Sequence, residues 1–306
     1  GQVYVKVLAS GLCGAQLHEI RGHKGNGKFL PHLMGHEGCG IVKEVGPGVT
    51  TVKEGDKVVM HWRPGSGIES EFPKYHLGEK IISSGKCTTL SEFSIVSENR
   101  LTKVPHDTPT VLAAMLGCSL TSALGIIDNE CNLKFGESVA IIGCGGVGLN
   151  LIQAAKMKNA YPVYGVDIND KMFDLTHQIG VDIFTCDLEF IPEKVDVILD
   201  TTGVPEVISK AFDKLAPSGR LIMVGQPAPG TDLNIFNPLS MFDGQGKSIR
   251  ASQGGKTKPD EDIPRYIKLA NREMLDFNTL HTDTFALDNI NDCLLYTSDA
   301  ADDTCC

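Results

Sequence analysis

The sequence predicts an α/β protein of two domains, a β-barrel-like domain interrupted by a doubly wound parallel sheet. Three observations carry that reading. Residues 1 to about 110 consist of short β-branched runs separated by Gly- and Pro-rich turns. From about 110 onward, strand-like and helix-like segments alternate. A glycine pattern stands where a buried strand gives way to a helix. At 306 residues the chain is long enough for two domains with separate cores.

The elements follow in order. "VYVKVLA", "GIVKEVG", "DKVVMHW" and "SEFSIVS" read as strands, and "GPG", "PGSG" and "SSG" as the turns between them. The stretch "SGLCGAQLHEIRG", residues 10 to 22, is bracketed by glycines and reads as a loop. "TPTVLAAMLGCSLTSALGII" is apolar at helical spacing and predicts a helix beginning after Pro109. Then "SVAIIG" precedes "GGVGLNLIQAAKM", "PVYGVD" precedes "NDKMFDLTHQIG", and "KVDVILDTTG" precedes "PEVISKAFDKLA". "GRLIMVG" and "KSIRAS" come last. Such alternation implies parallel strands joined by right-handed crossovers. The final dozen residues, "LYTSDAADDTCC", break this texture and read as foreign sequence.

Composition narrows the function. Hydrophobic residues make up 42% of the chain and charged residues 22%, the balance of a globular protein. No apolar run approaches the roughly 18 residues of a membrane span, so no membrane partner is expected. The net charge of −10, without a basic stripe, argues against nucleic acid. Ten scattered cysteines contain no C-x-x-C pair, which fits neither a disulfide scaffold nor a four-cysteine zinc knot. With no signal-peptide pattern at its start, the chain reads as cytoplasmic with reduced thiols.

"VAIIGCGGVGLN" places Gly143, Gly145 and Gly148 in G-x-G-x-x-G register. The first glycine permits a tight turn, the second lets backbone approach a pyrophosphate, and the third allows close helix–strand packing. Gly146 and Val147 fall in the helix's opening turn and complete the expected cradle. The next strand ends at Asp167, 19 residues past Gly148, where a carboxylate accepts hydrogen bonds from ribose hydroxyls. It would repel a 2′-phosphate, so NAD is expected rather than NADP.

Cys13, His36, Glu37 and Cys118 are less readable one at a time. A lone histidine is more often structural than metal-bound, and a cysteine on an apolar helix serves equally as a small hydrophobe. In combination they say more. "GHEGCGIVKEVGPGV" with the later "GDKV", preceded by "GLCG" and followed by the dinucleotide fingerprint, resembles the zinc-dependent medium-chain alcohol dehydrogenase family. The resemblance runs from residue 1 to about 295.

The resemblance implies a GroES-like catalytic domain of residues 1–117 and 254–306, of which 295–306 is the foreign stretch. A Rossmann-type NAD domain of residues 118–253 is inserted in it. It implies one catalytic zinc on Cys13, His36 and Cys118, leaving a fourth position for water or substrate. Glu37 is placed close behind the metal and Trp62 in the substrate-pocket wall. Val224 and Gln253 are placed with their backbones at the nicotinamide amide. The implied activity is hydride transfer between an alcohol, or its aldehyde or ketone, and NAD. Polyol or sugar-alcohol oxidation on the same scaffold, and a catalytically silent homologue, are the alternatives. The implied partners are a small-molecule substrate and further copies of the chain, as a homodimer or homotetramer.

Three departures from the family pattern stand out. A four-cysteine structural-zinc lobe is replaced by "RPGSGIESEFPKYHLGEKIISSGKCTTL", so a second zinc is not expected. The foreign stretch occupies the place of a C-terminal strand. Ala15 replaces the Ser or Thr whose hydroxyl starts a proton path ending at a histidine, here His18. A water beside Ala15 would restore that path.

Overall fold

The computed structural model describes residues 1–22, 30–191, 194–235 and 237–295. They divide into two compact units, the first of residues 1–121, 257–273 and 281–295, the second of residues 122–256 and 274–280. Residues 118–121, placed with the second domain by the sequence reading, thus fall in the first unit, and 254–256 and 274–280, placed with the first domain, fall in the second. The stretch read as foreign lies, from residue 296 on, outside the described residues. Among the described residues no helix is long and apolar enough to cross a membrane.

The first unit opens with β1 (Gln2–Ser10), α1 (Gly14–Ile20), β2 (Glu37–Val45) and β3 (Lys57–His61). A hairpin of β4 (Lys74–Leu77) and β5 (Lys80–Ser83) follows, then β6 (Phe93–Ser97) and β7 (Leu101–Val104). Five of these strands form an antiparallel sheet in the order β6-β1-β2-β3-β7. In β1, Val3 and Val5 are buried while Tyr4 and Lys6 face out, the period-2 alternation of a strand with one face on a core. Val42, Val58, Met60 and Val96 complete that core.

The hairpin lies in the stretch that the sequence reading set in place of a four-cysteine lobe. Main-chain bonds hold it, from Leu33 N to Ser83 O at 2.9 Å and from Ser83 N to Pro31 O at 3.0 Å. Tyr75 Oη accepts from Ile95 N at 3.1 Å.

Two local readings of the sequence need correction. Residues 14–20 are helix rather than loop. The helix has seven residues, too few to display a repeating apolar face, and only Gln16 and Leu17 are buried. The apolar stretch after Pro109 is not one helix but two, α2 (Thr110–Met115) and α3 (Ser119–Gly125), followed by a π-helical turn at Ile126–Glu130. The chain breaks at Leu116–Cys118 because Gly117 lies flat against the sheet. A Cβ there would collide with Met60 O and stand 2.7 Å from Glu37 Cα.

The second unit contains β8 (Val139–Ile142), α4 (Gly146–Met157), β9 (Val163–Val166), α5 (Met172–Ile179) and β10 (Ile183–Thr185). It continues with β11 (Val195–Asp200), α6 (Pro205–Asp213), β12 (Leu215–Met223) and β13 (Ser248–Ala251). Beyond lie α7 (Pro259–Ala270), in the first unit, and α8 (Phe277–Leu280). The sheet is parallel throughout, in the order β10-β9-β8-β11-β12-β13. Strand order reverses between β8 and β11, the switch point at which such sheets bind ligands. Ala140, Tyr164, Ile198, Phe212 and Leu221 form the core beneath.

Candidate functional site

In the first unit three segments bring their donor atoms together. Cys13 caps the start of α1 in extended conformation, φ −126° and ψ 165°. His36 closes the segment that leads into β2, and Cys118 stands in the break between α2 and α3. The Cys13 and Cys118 sulfurs and a His36 ring nitrogen all lie within 4.8 Å of one another. His36 Nε2 is 3.4 Å from Cys13 Sγ. Among the described residues this is the only such group of His, Cys, Asp or Glu.

The electrostatics suit a metal. Hydrogen bonding to Cys118 pulls the Cys13 thiol well below its ordinary range, with help from His36 and the Ala15 backbone, against the opposing effect of burial. Other buried cysteines move the opposite way. Burial raises Cys39 to about 11 and Cys87 to about 12, so those thiols stay protonated and inert. Two cysteine sulfurs and an imidazole form a borderline-soft donor set that fits zinc.

Glu37 is buried beside this group. Ser119 donates to its carboxylate from the backbone at 3.2 Å and from the hydroxyl at 3.4 Å. Burial and the charge of Cys13 raise its pKa to about 7, while the charge of His36 and the Ser119 bonds partly oppose the rise.

Behind His36 stands Gln16, which is 1% exposed. Its Nε2 lies 2.6 Å from His36 Nδ1, and its Oε1 accepts the Cys13 backbone N–H at 3.0 Å. The sequence reading missed both Gln16 and Ser119. A glutamine three residues after a helix cap is a known signal, but the cap here is cysteine, outside the usual Ser/Thr pattern.

His18 is exposed on α1, and Ala15 is half-buried one turn before it. Spaced by three, the two occupy neighbouring positions on one helix face. Trp62 follows β3, half-buried, with the Arg63 guanidinium 5.3 Å from its ring centre.

In the second unit, sheet register gathers the remaining residues at one edge. Ile142 pairs with Val166 and with Asp200, Asp200 with Met223, and Met223 with Ala251. Chain leaving these strands therefore emerges along one line: Gly143 after β8, Asp167 after β9, Val224 after β12 and Gln253 two residues past β13.

Gly143 has φ +85°, and a Cβ on Gly148 would stand 3.0 Å from the Gly143 carbonyl carbon. Around Gly145 and Gly146 a Cβ would meet open space. That leaves room for a ligand at the first turn of α4, where Val147 also lies. Asp167 accepts from Cys144 N at 2.6 Å and Asn169 N at 3.0 Å, which fixes its carboxylate beside the glycine turn. Buried Asp200, also missed in the sequence, accepts from Gly203 N at 2.9 Å and Thr202 Oγ1 at 2.6 Å and shapes the turn after β11.

Comparisons with known proteins agree with this geometry. Residues 1–106 match the family model "Alcohol dehydrogenase GroES-like domain", and residues 146–272 match "Zinc-binding dehydrogenase". The chain is 29% identical to alcohol dehydrogenase 6 of Peromyscus maniculatus, over 96% of this chain and 87% of that protein. It is 28% identical to an S-(hydroxymethyl)glutathione dehydrogenase of Escherichia coli O139:H28, over 95% of this chain and 88% of that protein. The fold matches the crystal structure of benzyl alcohol dehydrogenase from Acinetobacter calcoaceticus with a TM-score of 0.85. That match has 27% identity and covers 97% of this chain and 89% of the other.

Proposed function

Because this chain belongs to the zinc-dependent medium-chain alcohol dehydrogenase family, we propose that it interconverts a small alcohol and its carbonyl compound with NAD as cofactor. The observation that carries the proposal is the convergence of Cys13, His36 and Cys118. Zinc held by that set would supply Lewis-acid polarisation of an alcohol oxygen, and NAD would supply the hydride acceptor.

The chain's own residues do the rest. Gly143, Gly145, Gly146, Val147 and Gly148 offer backbone at a helix start to the pyrophosphate. Asp167, pinned by two backbone amides, keeps lone pairs for ribose hydroxyls and opposes a 2′-phosphate. Val224 and Gln253 hold the nicotinamide amide through backbone groups. Trp62 supplies an apolar wall to the substrate. Glu37 is a buried acid whose field acts on the donor set. His18 is the far end of a proton path that Ala15 interrupts and a water completes.

Homodimer or homotetramer formation belongs to the same reading. The second unit's sheet ends on β13, where Ser248, Arg250 and Ala251 are exposed.

The test is an NAD-reduction screen over primary alcohols, polyols and sugar alcohols, with zinc measured in parallel. Turnover with a zinc-loaded enzyme supports the proposal, and the preferred substrate separates simple alcohols from polyols. A zinc-loaded chain that binds NAD but turns over none of them identifies a silent homologue.

A further inference from the structure

The buried carboxamide of Gln16 serves two masters. Its Oε1 accepts the Cys13 N–H at 3.0 Å, and its Nε2 faces His36 Nδ1 at 2.6 Å. At 1% exposure water cannot satisfy either end, so each must find its partner within the protein.

A carboxamide has one accepting and one donating end. The backbone N–H of Cys13 can only donate, so Oε1 belongs there and the amide NH₂ belongs on Nδ1. Nδ1 then accepts. A neutral imidazole whose Nδ1 accepts carries its hydrogen on Nε2, the nitrogen 3.4 Å from Cys13 Sγ.

Ligation at Nε2 needs the opposite arrangement, with the lone pair on Nε2 and the hydrogen on Nδ1. Nδ1–H would then point at an NH₂ group. Turning the carboxamide over repairs that contact but sets its NH₂ against the Cys13 N–H. Either way two donors are set against each other.

We propose that Gln16 is a positioning residue that sets the metal affinity of this site below what its donor set allows. Its carboxamide couples the cap of α1 to the tautomer of His36. The proposal rests on Cys13, His36 and Cys118 being the zinc ligands. A carboxylate at position 16 would remove the conflict, since one oxygen could accept from Cys13 N–H and the other from Nδ1–H.

The experiment uses the full chain at about pH 8, above the ordinary imidazole value of about 6.5. Zinc affinity is measured by competition with a chromophoric chelator for the unmutated chain, Gln16→Glu and Cys13→Ser. The hydrogen on the His36 ring is located by long-range ¹H–¹⁵N spectra. Gln16→Glu is expected to bind zinc on the order of tenfold tighter, the lower end of the usual effect of such outer partners. Without zinc, the ring hydrogen is expected on Nε2 in the unmutated chain and on Nδ1 in Gln16→Glu.

One zinc bound by the unmutated chain, lost in Cys13→Ser but no tighter in Gln16→Glu, would overturn the inference and leave the ligand set standing. No zinc bound by the unmutated chain would overturn the ligand set, and the inference with it. Should Gln16→Glu fail to fold, the tautomer of the unmutated chain decides alone. A hydrogen on Nδ1 without zinc ends the proposal.

Discussion

A single methyl group at position 15 stands where the proposed proton path wants a hydroxyl. Its partner His18 lies one helical turn on, exposed to solvent. General acid–base help contributes roughly 10²–10⁴-fold, so an imperfect path slows the reaction without abolishing it. Ala15→Ser is expected to raise the alcohol-oxidation rate, most clearly near neutral pH, and His18→Ala to lower it. Steady-state rates of both variants and of the double variant check this. If His18→Ala changes nothing on either background, the path does not run through His18. The second prediction at this scale concerns Asp167, whose carboxylate is bonded to Cys144 N and Asn169 N. Asp167→Ala should weaken NAD and narrow its advantage over NADP, read as kcat/KM for each. The third concerns stoichiometry. One zinc per chain is expected by elemental analysis, lost or strongly weakened in Cys13→Ser and His36→Ala, because one donor cluster occurs among the described residues.

Elements carry the site to its geometry, and here the sequence was uneven in what it disclosed. The parallel strands were legible because β8 and the later parts of β11 and β12, residues 197–199 and 221–223, are apolar runs, and the family motifs named Cys13, His36 and Cys118. The presentation of Cys118 was not legible. An apolar run looks the same whether it forms one helix or two, and the break at Leu116–Cys118 depends on a close approach to β2 and β3 that only packing reveals. Gln16 escaped for a related reason: seven residues are too short for a periodic signal, and a cysteine cap is not one usually searched for. Gly117→Ala tests the element's role. The added Cβ meets backbone, which cannot swing aside, so a loss of about 1–3 kcal/mol is expected. Denaturant unfolding should record it, and zinc competition should show weakened binding, since Cys118 is displaced with the turn. Unchanged stability and affinity would mean the turn tolerates a shift.

On the scale of the whole molecule, two buried groups link stability to acid pH. His61 Nδ1 donates to Arg63 O, its Nε2 pairs with the Thr102 hydroxyl, and burial lowers its pKa to about 4. The unfolded chain binds that proton near pH 6.5, so stability falls as pH drops from about 6.5 to 4. Glu98 works lower on the scale. Burial alone would raise it, but the Ile68, Thr50 and Thr51 amides outweigh burial and bring it to about 2. Its contribution is whole above the unfolded value and is lost as pH falls through about 4 towards 2. Glu37, held at about 7, works the other way over the upper range, so the readout is the difference between chains: His61→Gln should remove a loss of melting temperature between about pH 6.5 and 4 and leave the loss below about 4 unchanged. The β4–β5 hairpin has a consequence of another kind. Pro31, Leu33 and Tyr75 hold it through ordinary bonds of the chain, and among the described residues no cluster of metal-ligating side chains lies in it. Stripping zinc with a chelator should thus leave its exposed lysines, Lys74 and Lys80, no easier for trypsin to reach than before. Digestion patterns with and without the chelator should match across residues 66–92, even as cleavage quickens around Cys13.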